Sequence, residues 1–298
     1  MANVVSLKKL QAWRAKASHT QRHLASMRQD GNSSLPFLVV PTSKYLRMHA
    51  AVYLPAIWDF LLMPERNLTT SPLFCKCGGP MSRTHAMSCK IVSKAASLHR
   101  DMGQTFRHCA VANRANPRPG EPRNMEHSDG SGTGADLRVD GMPINQVGQS
   151  GVAIVDYTFV TVMAPSNQNV AGPNFTLPRR RLQAGDVEQR AEDNKITNNE
   201  YQIDAHANGY DFYGISIGKE TGVFGPRCKE FLARITSIRE GEEYEHDPIN
   251  EHGFKNGMWS APTALAYWTR VLMVKLTIRR EVYIERAFYR ARKAAGLT

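Results

Sequence analysis

Two groups of residues stand at spacings that could do chemistry. Cys75-x-Cys77 is followed, after the reversal Gly78-Gly79-Pro80, by His85-x-x-x-Cys89, which puts three thiols and an imidazole within fifteen residues. Zinc prefers four such ligands in a closed tetrahedron, and a short segment with little core of its own gains folding free energy by binding it. A structural zinc site is therefore expected here. The competing reading is that three cysteines and a histidine are ordinary buried side chains, since C-x-C is tighter than the usual two-to-four-residue spacer.

The second group is a pair of carboxylates. Asp156 lies in VAIVDYTFVTV, where a charge must either face a functional edge or be buried at large cost. Asp136 begins the preceding β-rich stretch, so a hairpin would carry both carboxylates to one end of a sheet. Metal-dependent phosphodiester hydrolysis needs carboxylates that hold Mg²⁺ or Mn²⁺ at the scissile phosphate, plus a cation to orient the attacking water. On the residues alone, a turn aspartate and a hydrogen-bonded strand aspartate remain the alternative.

The elements that must position these groups are legible in outline. Residues 135–140 and Val152 to Val162 read as a β-hairpin joined by GMPINQVGQSG, its second strand buried. A helix is expected from an Asp186 N-cap to Gly209, then a strand over Tyr210 to Ile217 and a helix over Pro226 to Ile238. This order is α/β in type. His49 to Met63 reads as an apolar core helix broken or kinked near Pro55, and Asn113 to Gly134 as a connector. A long final helix is expected from a Ser260 cap with Pro262 in its first turn. Cys109 and Cys228 read as buried apolar residues.

Composition narrows the partners. The chain has 38 Lys+Arg against 27 Asp+Glu, a net charge of +11, which favours polyanions through phosphate neutralisation and counterion release. Met1 to Asp30 reads as a basic arm, with nucleic-acid contact and a solvated helix face both open, and the second half of the final helix is basic. DNA is the expected partner, with RNA second. No apolar run approaches the roughly 18 residues of a membrane span, so no membrane partner is expected. The N-terminus has no signal-peptide pattern, which leads us to expect an intracellular, reducing setting with five cysteines as thiols.

The succession CKCGG, THAMSC, HRD, FRH, EP, GADLRV and VAIVDYTFV resembles the zinc knuckle and restriction-like endonuclease (PD-(D/E)xK) domain at the C-terminal end of site-specific non-LTR retrotransposon polyproteins. The resemblance covers about Phe74 to Ile238. It implies a restriction-endonuclease-like mixed sheet flanked by helices, a small zinc knuckle, and helical N- and C-terminal extensions. The corresponding segments are 1–70 (basic, helical), 71–118 (knuckle and linker helix), 119–240 (nuclease core) and 241–298 (basic, helical).

It further implies Mg- or Mn-dependent nicking of target DNA, of the kind that primes reverse transcription, in a nuclear setting if the source is eukaryotic. A catalytically degenerate, zinc-stabilised nucleic-acid binder is the alternative. No Tyr/Phe-x-Asp-Asp motif is present, so the polymerase is elsewhere or lost; a reverse transcriptase encoded on the same element is the further partner that the resemblance implies. Carried over, Asp136 and Asp156 are metal ligands, Glu121 of the Glu-Pro is a further one, and Tyr201 closes the helical K-x-x-K-Y pattern. The spacing puts Thr197 and Glu200 where lysines would fall. Lys195, the one lysine in that helix, sits two residues early, about 200° round the helix and so facing away unless the helix start has slipped. Lys219 is the substitute. His99, Arg100, Arg107 and His108 resemble the family's basic cluster, suited either to phosphate contact or to packing.

Overall fold

The computed structural model describes residues 35–38, 47–61, 73–89, 95–119, 137–143, 150–162, 183–198, 201–237 and 263–297. The basic arm, Glu121, Asp136, Ser260 and Pro262 lie outside them. The fold is mixed α/β, built on a four-stranded mixed sheet flanked by helices.

The sheet has four strands, of which only the third and fourth are dense in β-branched and aromatic residues; the first, Asn-Pro-Arg-Pro, falls in the stretch expected to be a connector. The strands are β1 (Asn116–Pro119), β2 (Leu137–Pro143), β3 (Ser150–Val160) and β4 (Asp211–Gly218), in the order β1-β2-β3-β4. The first three pair antiparallel, with a bulge between Asp140 and Met142, and β3 pairs parallel with β4. A parallel neighbour needs a crossover. Here it is made by α5 (Asp186–Asn198) and α6 (Tyr201–Ala207). The single helix expected from Asp186 to Gly209 is thus two helices. Nor is Asp186 the cap: Gly185 (φ +97°) accepts from Gln189 N at its carbonyl, while the Asp186 carboxylate accepts from Gln183 N behind it.

Because strand side chains alternate between faces, β3 divides its residues between two layers. Ala153, Val155 and Tyr157 enter the large core with Ile215 and Ile217 of β4. That core also takes Met102 and Phe106 of α4 (Ala95–Ala112), Phe231 and Leu232 of α7 (Pro226–Ser237), and Trp268 and Leu272 of α8 (Ala264–Ala294). Ile154 turns the other way, to Phe212 and to Ala205 of α6. Cys109 and Cys228 are fully buried in the large core, as expected. Segments 71–118, 119–240 and 241–298 therefore share one core.

The 31-residue α8 begins later than expected, capped by Thr263, whose Oγ1 accepts from Ala266 N at 3.1 Å. Along its length it meets α4, α7, α1 (Leu35–Leu38), α2 (Ala50–Phe60) and α3 (Arg83–Ser88). Charges lock the last two onto it. Arg83 of α3 donates to both Glu281 oxygens at 2.5 and 2.6 Å and to Asp59 of α2 at 3.3 Å. Arg280 reaches Asp59 at 3.4 Å, Glu281 at 3.2 Å and the Glu220 carbonyl at 3.0 Å. The expected core helix around Pro55 is thus a peripheral clamp: Pro55 is accommodated within α2, Leu54 is exposed and Ala56 is buried.

Glu220, in the turn after β4, is buried, and its Oε2 accepts from Val162 N at 3.1 Å. Burial raises this carboxyl to about 7. A carboxyl raised in the folded state costs nothing below its unfolded value near 4.5, and destabilises progressively as pH rises to about 7. Glu220→Gln keeps the acceptor and removes the charge. Its stability advantage over the wild type should grow between pH 4.5 and 7 and then level off, reaching on the order of 1–3 kcal/mol in denaturant titrations.

Candidate active site and metal centre

Asp156 is only 8% exposed, and alternation along β3 turns it with Ile154 toward the layer of α5 and α6. There the ammonium of Lys195 is paired directly with its Oδ2. Asp156 and Gly214 are register partners in the parallel β3–β4 pair. A Cβ on Gly214 would lie 3.0 Å from Lys195 Cβ and 3.5 Å from its Cδ. The bare backbone of β4 is the passage by which Lys195 crosses one strand to reach a carboxylate on the next.

The expected 200° mis-orientation of Lys195 is therefore not what the fold does. The rotational phase of α5 is set by burial of Glu188 and Glu192, which with the half-buried Lys195 lie at i, i+4 and i+7 on one helix face. Each is met by a small residue of β4 or its flanks. Glu188 lies against Gly218 and Thr221, Glu192 against Ser216 and Gly225, and Lys195 against Gly214. Ser216 Oγ in turn donates to the Glu188 carbonyl at 2.8 Å.

Glu192 accepts from Ser216 N at 2.9 Å, Arg227 N at 2.9 Å and Cys228 N at 3.2 Å. It thereby satisfies the outer edge of β4 and the orphan donors at the N-terminus of α7 together. Burial raises its carboxyl, against the lowering effect of those three backbone donors. These two glutamates were missed by sequence reading because carboxylates in a polar helix read as solvated. The available signal was their i, i+4, i+7 register with Lys195, set against Gly-x-Ser-x-Gly at residues 214–218.

The zinc ligands converge. Their ligand atoms all lie within 4.8 Å of one another, with Cys75 Sγ to Cys89 Sγ at 3.7 Å, Cys77 Sγ to Cys89 Sγ at 3.8 Å and Cys77 Sγ to His85 Nε2 at 3.2 Å. A tetrahedron with metal–sulfur bonds of about 2.3 Å has edges of about 3.8 Å, so the donor set fits a structural metal such as zinc. Local structure explains the convergence. Gly78 (φ +82°) makes the reversal, Cys75 N donates to Gly79 O at 2.9 Å, and Ser82 caps α3 by accepting from His85 N at 3.0 Å. A side chain at Gly79 would strike the His85 ring. The knuckle then rests on α8, where Cys75, Ala86 and Met87 bury Ile284 and Ala287.

Of the other expected site residues, Tyr201 opens α6 but its side chain is outside the described residues, as are Glu121 and Asp136; β2 starts at Leu137, the partner of Val155. Lys219 lies beyond β4 beside Glu220, and burial lowers its ammonium; it is not the lysine paired with Asp156. In the basic cluster, His99 packs: its Nε2 is 2.8 Å from Tyr157 O and its ring 4.3 Å from the Tyr157 ring. Arg100 and His108 are exposed.

Cys77 is exposed, so Cys77→Ser removes a ligand without opening the core. Elemental analysis should find one zinc per wild-type chain and much less in this variant. Chelation should lower the wild-type melting temperature and leave that of the variant nearly unchanged. The sequence matches no protein-family model and no curated protein.

Proposed function

We propose that this chain is a divalent-metal-dependent DNA endonuclease that hydrolyses a phosphodiester bond to nick its target, with the restriction-like core and zinc knuckle that its motifs resemble. The observation that carries the reading is the pairing of Lys195 with Asp156 across the Gly214 passage. A carboxylate is a hard oxygen donor of the kind that Mg²⁺ and Mn²⁺ take. Asp156 would hold such an ion together with Asp136, and Glu121 is a further candidate ligand. The ion would supply Lewis-acid charge neutralisation at the scissile phosphate.

The chain's own residues do the rest. Lys195 offers three N–H donors on a fixed stem, able to orient the attacking water and to balance charge that develops on the phosphate. Packing of α5 on β4 keeps both side chains largely from bulk water, which strengthens their electrostatic action. Tyr201, at the start of α6, is the further site residue that the motif resemblance implies. The partner that goes with this reading is a reverse transcriptase encoded on the same element, which would extend the nicked 3′ end.

One observation favours a second reading. An ammonium set directly on Asp156 is also how a purely structural buried ion pair looks, and a zinc-stabilised nucleic-acid binder without catalysis would need no more.

Nicking of supercoiled plasmid with Mg²⁺ or Mn²⁺ and a chelator control separates the two. Metal-dependent nicking should be abolished by Asp156→Asn and reduced at least about 100-fold by Lys195→Met, the scale of a positioned electrostatic group. Gly214→Val, which crowds the passage, should give a similar loss in folded protein. A folded, zinc-loaded, DNA-binding wild type that does not nick would instead establish the binder.

A further inference from the structure

The long C-terminal helix carries eight Lys and Arg against two Glu. One of those glutamates, Glu281, is buried in the clamp with Arg83 and Arg280. At about 100° per residue, Lys275, Arg279, Arg286, Arg290 and Lys293 fall within an arc of about 60°. The same count puts the buried Ile284, Ala287 and Ala291 about 90–150° from the middle of that arc. The remaining acid, Glu285, is about 80° off the stripe. Four of the five cations are exposed and Lys275 is half-buried. Arg279 also meets Asp101, at 3.1 Å. Among the described residues, Arg286, Arg290 and Lys293 make no ion pair.

The stripe runs for about 27 Å at 1.5 Å per residue, close to the rise of eight base pairs. It is held rigid from behind by the core and the knuckle. At its N-terminal end it borders a cleft between α4 and α8 that adds Gln104 and His108. A line of mostly exposed cations recognises regularly spaced phosphates and does not itself read sequence.

We infer that this face of α8 docks the phosphate backbone of duplex DNA. The inference rests on the nuclease reading only in taking DNA as the polyanion. Because α8 packs on the face of the sheet opposite Asp156, the surface anchors DNA flanking the nicked bond and leaves the reacting phosphate to the other layer.

The test is the salt dependence of binding to a 30-base-pair duplex, read by fluorescence anisotropy in metal-free buffer. It compares the zinc-loaded full chain with the triple variant Arg286→Gln, Arg290→Gln, Lys293→Gln. These positions are exposed, so circular dichroism and zinc content should not change. Loss of three phosphate contacts should lower the slope of log K against log salt by about 2–3 and weaken affinity at least 10-fold. An unchanged slope and affinity would overturn the proposal. So would tighter wild-type binding to single-stranded RNA than to the duplex, lost in the variant. Plasmid nicking by the wild type, run in parallel, keeps the readings apart. A reduced slope without any nicking leaves the docking surface standing and removes the nuclease; nicking with an unchanged slope does the reverse.

Discussion

A carboxylate in the middle of an apolar strand is costly unless something charged comes to meet it. Asp156 imposes that constraint, and much of the α5 layer answers it. Lys195 reaches Asp156 only because Gly214 leaves the backbone of β4 bare beneath it. That crossing requires α5 to lie close along β4, and the close approach continues where Glu192 meets Ser216 and Glu188 meets Gly218. Glu192 then caps α7 from a neighbouring helix. One buried charge therefore couples the crossover, the edge strand and the following helix, and it leaves a carboxylate and an ammonium side by side.

The opposite layer is organised by apolar burial around α8. Its N-terminal half completes the core beneath the sheet, and its C-terminal half supports the knuckle through Ile284 and Ala287. The Arg83–Glu281 fork and the Arg280–Asp59 contact fix where the knuckle and α2 sit. Breaking such a buried network by removing one partner costs far more than a surface pair, because the remaining charges stay desolvated. The knuckle is thus held both by its ligand set and by charge, so its exposed face keeps one orientation relative to the basic stripe of α8.

Much of this was readable from residue patterns. The β-branched density of 152–162 and 210–217 marked β3 and β4, and the C-x-C, H-x-x-x-C spacing marked the ligands that the fold brings together. What was not readable depended on distant packing. The phase of Lys195 could not follow from its offset within a motif, since burial of two glutamates on the same helix face sets it. The expected continuous helix to Gly209 is two helices, and Thr263 takes the capping role assigned to Ser260. Asp59 carried no assigned chemistry because its partners, Arg83 and Arg280, are far from it in sequence and near it only in the fold.

The most direct test of the Asp156–Lys195 site is Mn²⁺ binding to the zinc-loaded full chain, followed by electron paramagnetic resonance in wild type, Asp156→Asn and Cys77→Ser. The account predicts a Mn²⁺ site in the wild type that Asp156→Asn removes and Cys77→Ser retains. Mn²⁺ binding that Asp156→Asn leaves intact, or that only loss of the cysteine ligand removes, would contradict it.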